Sequence, residues 1–218
     1  MVNPYAVWNT ARDNTTGPEG SSDPLPSIYG ALPFSSPSDT SSFMTFTFIG
    51  FNPSIANCTI LGPNNSPQFR VVTDSAMPGY TILKTMDGKN SALIEWREPV
   101  KVEVRGMVFK QRASEFLRIS PNKRYRIMII RSQEFMWIPN GGAVSVRKFS
   151  KVPTHRRALN VVFSQLYTTG SSDSEFLGRI SRSVGAITLE MTQNAVRLGL
   201  LQACIITTVL LQSGENID

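Results

Sequence analysis

Histidine is almost missing from this chain. The single one, His155, lies in Pro153-Thr154-His155-Arg156-Arg157. Neighbouring positive charge there lowers an imidazole pKa, and no carboxylate stands close in sequence to orient the ring. A Ser-His-Asp relay would have to use it, so nucleophilic catalysis of that kind finds no support. Cysteine is equally scarce. Cys58 and Cys204 stand far apart, the second within an apolar stretch, which excludes a disulfide framework and the ligand spacing of a structural zinc site. Two buried free thiols in a reducing compartment are expected instead. No glycine-rich phosphate loop occurs. Asp87-Gly88-Lys89-Asn90 and Asn140-Gly141-Gly142 read as turns. The expectation is a protein that is not an enzyme and takes no cofactor and no metal.

A secretory leader is also lacking, since no basic stretch followed by an apolar core opens the sequence; the expected setting is cytoplasmic. Acidic residues are few where basic ones are dense. Between Arg97 and Arg157 lie 15 of the 22 lysines and arginines, against four glutamates. The net charge of +6 suits contact with an anionic surface without naming one.

Residues 1–41 lack apolar periodicity and are rich in Pro, Ser, Thr, Asn and Asp. They offer too little apolar surface to offset ordering, and a disordered or loosely docked tail is expected there. From residue 42 the pattern changes to a period of two. Met44, Phe46 and Phe48 alternate with Thr45 and Thr47, and Val100, Val102 and Val104 alternate with Lys101, Glu103 and Arg105, the mark of strands with one face buried. Further strands are read at 58–61, 69–73, 80–85, 92–97, 124–130, 135–138, 143–147, 159–167, 176–181 and 186–191. Turn signals such as Gly62-Pro63, Asp87-Gly88 and Asn140-Gly141 separate several of them. About twelve short strands at this spacing predict a mainly β barrel or sandwich.

The last segment breaks that pattern. Ala195 to Leu211 is apolar on every side, so a helix there must be enclosed by protein or inserted in a bilayer. A span needs about 20 predominantly apolar residues. The charge-free run from Leu198 to Leu211 is shorter and contains Gln202, Thr207 and Thr208. The enclosed reading predicts one helix over about 193–212, capped by Thr192 and stopped at Gly214, with Leu198, Leu201, Ile205 and Val209 in a barrel core. Residues 42–214 would form that barrel. A tail anchor is the competing reading.

The order of these elements resembles the tubby-like β-barrel superfamily, which includes tubby C-terminal domains, phospholipid scramblases and LURP-one-related proteins. More closely, it is similar to an uncharacterised family abundant in mushroom-forming fungi. The resemblance rests on Phe46-Thr47-Phe48 with Asn52-Pro53, Phe69-Arg70-Val71-Val72-Thr73, Leu93-Ile94-Glu95-Trp96, Glu134-Phe135-Met136-Trp137, Ala186-Ile187-Thr188-Leu189-Glu190 and the terminal helix. It covers residues 43 to 212. The chain departs from the family at Arg131-Ser132-Gln133-Glu134, where an Asp-Gly type of turn is usual, and in an insert around Lys148–Arg157. The resemblance implies a closed antiparallel barrel of about 12 strands around a buried C-terminal helix. It also implies contact with phosphoinositide or other phospholipid headgroups, although no family site can be carried over residue by residue.

The candidate anion-binding patch therefore comes from the bases themselves. Lys123, Arg124 and Arg126 cluster on one strand and its approach, and Lys148, Lys151, Arg156 and Arg157 lie in a later loop. If that loop covers that strand, the seven could hold phosphates by charge-assisted hydrogen bonds. The bland alternative is a solvated outer face. Few aromatics accompany the bases, which argues against nucleic acid. The expected function is a non-enzymatic binding or adaptor module, peripheral at an anionic phospholipid surface. The alternatives are a structural or protein-interaction domain with its specificity in the tail, and a tail-anchored membrane protein. The sequence leaves the oligomeric state open.

Overall fold

The computed structural model describes residues 43–140, 161–169 and 174–218, all within a unit spanning Ser41–Asp218. The expectations for residues 1–41, for a strand at 143–147, for His155 and for Lys148, Lys151, Arg156 and Arg157 fall outside the described residues.

Among the described residues, thirteen strands make one antiparallel sheet. The first half is β1 (Met44–Ile49), β2 (Cys58–Leu61), β3 (Pro67–Thr73), β4 (Tyr80–Thr85), β5 (Asn90–Glu95), β6 (Lys101–Val104) and β7 (Val108–Arg112). The second half is β8 (Leu117–Ile119), β9 (Arg126–Ile130), β10 (Gln133–Pro139), β11 (Val161–Thr168), β12 (Phe176–Ser183) and β13 (Ala186–Met191). Each half is a meander of sequential neighbours. The two are joined through β1 and β13, with Phe46 opposite Leu189 and Phe48 opposite Ile187. The alternation read from sequence is what the strands carry: Phe46, Phe48, Val100, Val102 and Val104 are all buried.

Closure differs from expectation. The sheet runs from β7 to β8 as its two edges, and no hydrogen bonds join them. These edges are consecutive in the chain and are linked by a single helical turn, α1 (Ala113–Phe116). Ala113 and Phe116 are both fully buried, and the Ala113 N–H donates to the Val100 carbonyl at 2.8 Å. The physical reason is local. At the seam α1 buries Ala113 and Phe116 on the chain's path between the two edges, and β8 is only three residues long.

The expected single helix is two. After the Thr192 cap, whose Oγ1 accepts from the Ala195 N–H at 3.2 Å, α2 covers Gln193–Arg197 and α3 covers Leu201–Gln212. Gly199 separates them at φ +77°. Its N–H donates to the Val196 carbonyl at 2.9 Å, and the Leu200 N–H to the Ala195 carbonyl at 3.2 Å. That pair of bonds around a left-handed glycine is a Schellman stop. Leu198 is consequently the C-cap of α2 and 39% exposed, not a core residue. Leu201 is half-buried, and Ile205 and Val209 are fully buried. Gly214 lies beyond the end of α3 in the left-handed conformation, as expected.

Every residue of α3 from Ala203 to Leu210 is buried. The helix lies against β5 and β13, and the Thr207 hydroxyl lies 3.4 Å from Met128 Sδ on β9. Among the described residues no helix is long and apolar enough to cross a membrane. Cys58 and Cys204 are both free and buried. Burial raises both thiols, Cys58 to about 12.

Candidate functional site

The β8–β9 connection sets the geometry of the site. Ser120, buried at the end of β8, holds the turn together. Its N–H donates to the Tyr125 carbonyl at 3.0 Å, and its carbonyl accepts from the Lys123 N–H at 2.8 Å. The Ser120 hydroxyl accepts from the Tyr125 N–H at 3.2 Å and lies 2.7 Å from Asn122 Oδ1. Asn122 Oδ1 in turn accepts from the Arg124 N–H at 3.1 Å. Short polar side chains that bond to nearby backbone are what fix such turns.

The turn holds Lys123 at φ +56°, a left-handed conformation that costs a residue with a Cβ about 1–2 kcal/mol. Lys123 and Arg124 stand exposed at its tip. Neither side chain pairs with a carboxylate among the described residues.

Of the eight other described bases between Arg97 and Arg131, four have side-chain partners, and Lys101, Arg105, Arg112 and Arg131 form no ion pair among the described residues. Lys110 Nζ lies 2.7 Å from Glu95 Oε2, which raises the lysine pKa and lowers that of the glutamate. Arg118 reaches Glu134 at 3.6 Å. The Arg97 guanidinium sits over the Tyr80 ring at 5.5 Å. Arg126 is the most fully engaged. Its Nη1 donates to the Leu117 carbonyl at 3.0 Å and to Asp218 Oδ1 at 2.8 Å, while Nη2 donates to Asp218 Oδ2 at 2.8 Å. These bonds hold the Asp218 carboxyl below its ordinary pKa.

The structure therefore brings together Lys123, Arg124 and Arg126, and gives them different roles. Arg126 ties down Asp218, and the two exposed cations remain free to meet an anion. All three line one pocket of about 180 Å³, together with Ile119, Tyr125, Trp137, Pro139, Ser164 and Leu211. Sequence reasoning passed over these last residues. Trp137 is legible as a core position, because it alternates with Phe135 on β10. Nothing local to it signals that it shares a wall with Leu211 at the end of α3. Trp137 is 1% exposed, and its indole N–H has no hydrogen-bond partner among the described residues.

No family model matches the chain, and no curated protein matches it. Among solved structures it is similar to a protein from Arabidopsis thaliana determined by X-ray crystallography. The two are 13% identical, with a TM-score of 0.41, over 78% of this chain and 92% of the other.

Proposed function

We propose that this protein is a non-enzymatic binding module that docks on anionic phospholipid headgroups through Lys123 and Arg124. One observation carries the reading: two cations without acidic partners project from a turn whose backbone is fixed by Ser120 and Asn122. The fixed backbone sets where the two cations emerge, and charge-assisted bonds to phosphate are among the stronger hydrogen bonds.

The platform beneath the turn is read as a tubby-like sheet curled around α3. Its support is geometric. The strands that α3 touches, β5, β13 and β9, stand far apart in the sheet order. With neighbouring strands about 4.8 Å apart, a flat sheet would separate β5 and β9 by roughly 40 Å. A helix is only about 10 Å wide with its side chains. Contact with both is natural if the sheet wraps the helix, and burial of eight successive helical residues points the same way. With α3 enclosed, no helix among the described residues is left to enter a bilayer, and membrane contact would be peripheral. A protein-interaction role rested on residues 1–41, and no observation on the described residues favours it.

Co-sedimentation of the full chain with vesicles tests the reading. Vesicles containing phosphatidylserine or a phosphoinositide should pull the protein down, and phosphatidylcholine vesicles should not. Raising the salt should release it, because exposed charges are screened within a Debye length. Equal binding to neutral and anionic vesicles would overturn it.

A further inference from the structure

We propose that the pocket beside Lys123 and Arg124 binds a small amphiphilic acid: a ring-sized apolar body carrying a phosphate or carboxylate. The inference rests on the anion-binding reading above and adds to it the part of the ligand that is not charged.

A site for bare anions needs only the two exposed cations. Here they border a recess lined also by Tyr125, Arg126 and Ser164 and by four largely apolar residues, Ile119, Trp137, Pro139 and Leu211. Three of these present hydrocarbon alone, and the fourth presents an indole. Ile119 remains 38% exposed although it is a large aliphatic residue, so a ligand seated there would remove apolar surface from water, at about 25 cal/mol for each Å². Size limits the ligand. An engineered cavity of about 150 Å³ holds benzene, so a recess of about 180 Å³ suits one ring. It is smaller than the range of about 300–1,000 Å³ usual for drug-sized ligands.

Trp137 supplies the second observation. Buried indole N–H groups usually find an acceptor, and each buried polar group without one calls for a reason. Trp137 lines this pocket and its N–H is unpartnered among the described residues. An oxygen acceptor on a ligand that reached the indole N–H would satisfy it. The charge of the ligand is set by Lys123 and Arg124, because Arg126 is already committed to Asp218.

Titration of the ¹⁵N-labelled full chain, read at the Trp137 indole resonance, tests this. The resonance is assigned by its loss in Trp137→Phe. Three probes separate the contributions: phenyl phosphate carries ring and charge, inorganic phosphate charge alone, and benzyl alcohol the ring alone. Phenyl phosphate should shift the resonance saturably and bind at least about tenfold more tightly than either fragment, a difference of about 1.4 kcal/mol. Lys123→Ala with Arg124→Ala should remove that advantage and leave the weak response to benzyl alcohol unchanged. Inorganic phosphate binding as tightly as phenyl phosphate would overturn the pocket and leave the surface anion site standing. Anionic vesicles binding while phenyl phosphate does not would overturn it in the same way. Failure of vesicles and of both phosphates together would overturn the anion-binding reading as well.

Discussion

The guanidinium of Arg126 grips both carboxylate oxygens of Asp218, each at 2.8 Å, across 92 positions of sequence. The same guanidinium donates to the Leu117 carbonyl on the edge strand β8. One side chain thus joins the segment after α3 to the seam of the sheet. It also takes Arg126 out of the set of cations open to a ligand.

The side chains of this pair are 22% and 41% exposed, so solvent screens the attraction, and about 1 kcal/mol is the expected contribution. Asp218→Asn should lower unfolding stability by that amount at neutral pH, and Arg126→Ala by more, because the Leu117 carbonyl also loses its donor. The pH dependence follows from the direction of the shift. Asp218 titrates lower in the folded chain than in the unfolded one. Its contribution is therefore fully present above the unfolded value of about 3.9, and is lost as pH falls from there through the folded value. Denaturant melts of the wild type and Asp218→Asn should differ by a constant amount from pH 7 to about pH 5, and converge only in more acidic solution.

Ile205 and Leu198 test the division of the terminal segment. Ile205 is fully buried in α3, and Leu198 is an exposed cap. Ile205→Asp places an unpaired charge in the core and should cost several kcal/mol or prevent folding. Leu198→Asp should change stability by about 0.5 kcal/mol or less. Thermal melting of the two variants beside the wild type reads both. A single continuous core helix would make them equally damaging.

Lys123 holds a left-handed backbone that glycine adopts without a steric penalty. Lys123→Gly should leave stability unchanged or raise it by up to about 1 kcal/mol, while weakening co-sedimentation with anionic vesicles. Stability and binding moving in opposite directions would mark a residue kept for its charge rather than its fit to the turn.

The β9–β10 hairpin turns on two residues, Arg131 and Ser132, at φ +50° and +67°, between the paired Ile130 and Gln133. Positive φ at both positions is the geometry that Asn-Gly favours. Arg131→Asn with Ser132→Gly should stabilise the chain by about 1 kcal/mol, measured by urea denaturation.

Strands that bury one face were readable because each carries its own two-residue period, as in Phe46-Thr47-Phe48 and Val100 to Val104. The edges were not. On β7 only Val108 is buried and Phe109 is 94% exposed, so no alternation marks it, and β8 is too short to show one. The break between α2 and α3 was hidden because apolar residues continue on both sides of Gly199. What fixes the break there is a backbone conformation, not a change in hydropathy. At the site, the clustering of Lys123, Arg124 and Arg126 was legible from their spacing. That Arg126 is held by Asp218, and that Trp137 and Leu211 line one pocket, depends on the placing of distant segments that no local pattern encodes.

The central claim is that Lys123 and Arg124 recognise an anion by position and not by adding to net charge. The direct test compares two double variants with the same change in charge: Lys123→Glu with Arg124→Glu, and Arg105→Glu with Arg112→Glu, all four positions being exposed. Both are titrated with phosphatidylserine vesicles at one ionic strength, after melting curves have established that each is folded. Loss of binding in the first pair, with binding largely retained in the second, is the predicted result. Equal losses in the two would contradict the account, reducing the site to the general positive charge of the molecule.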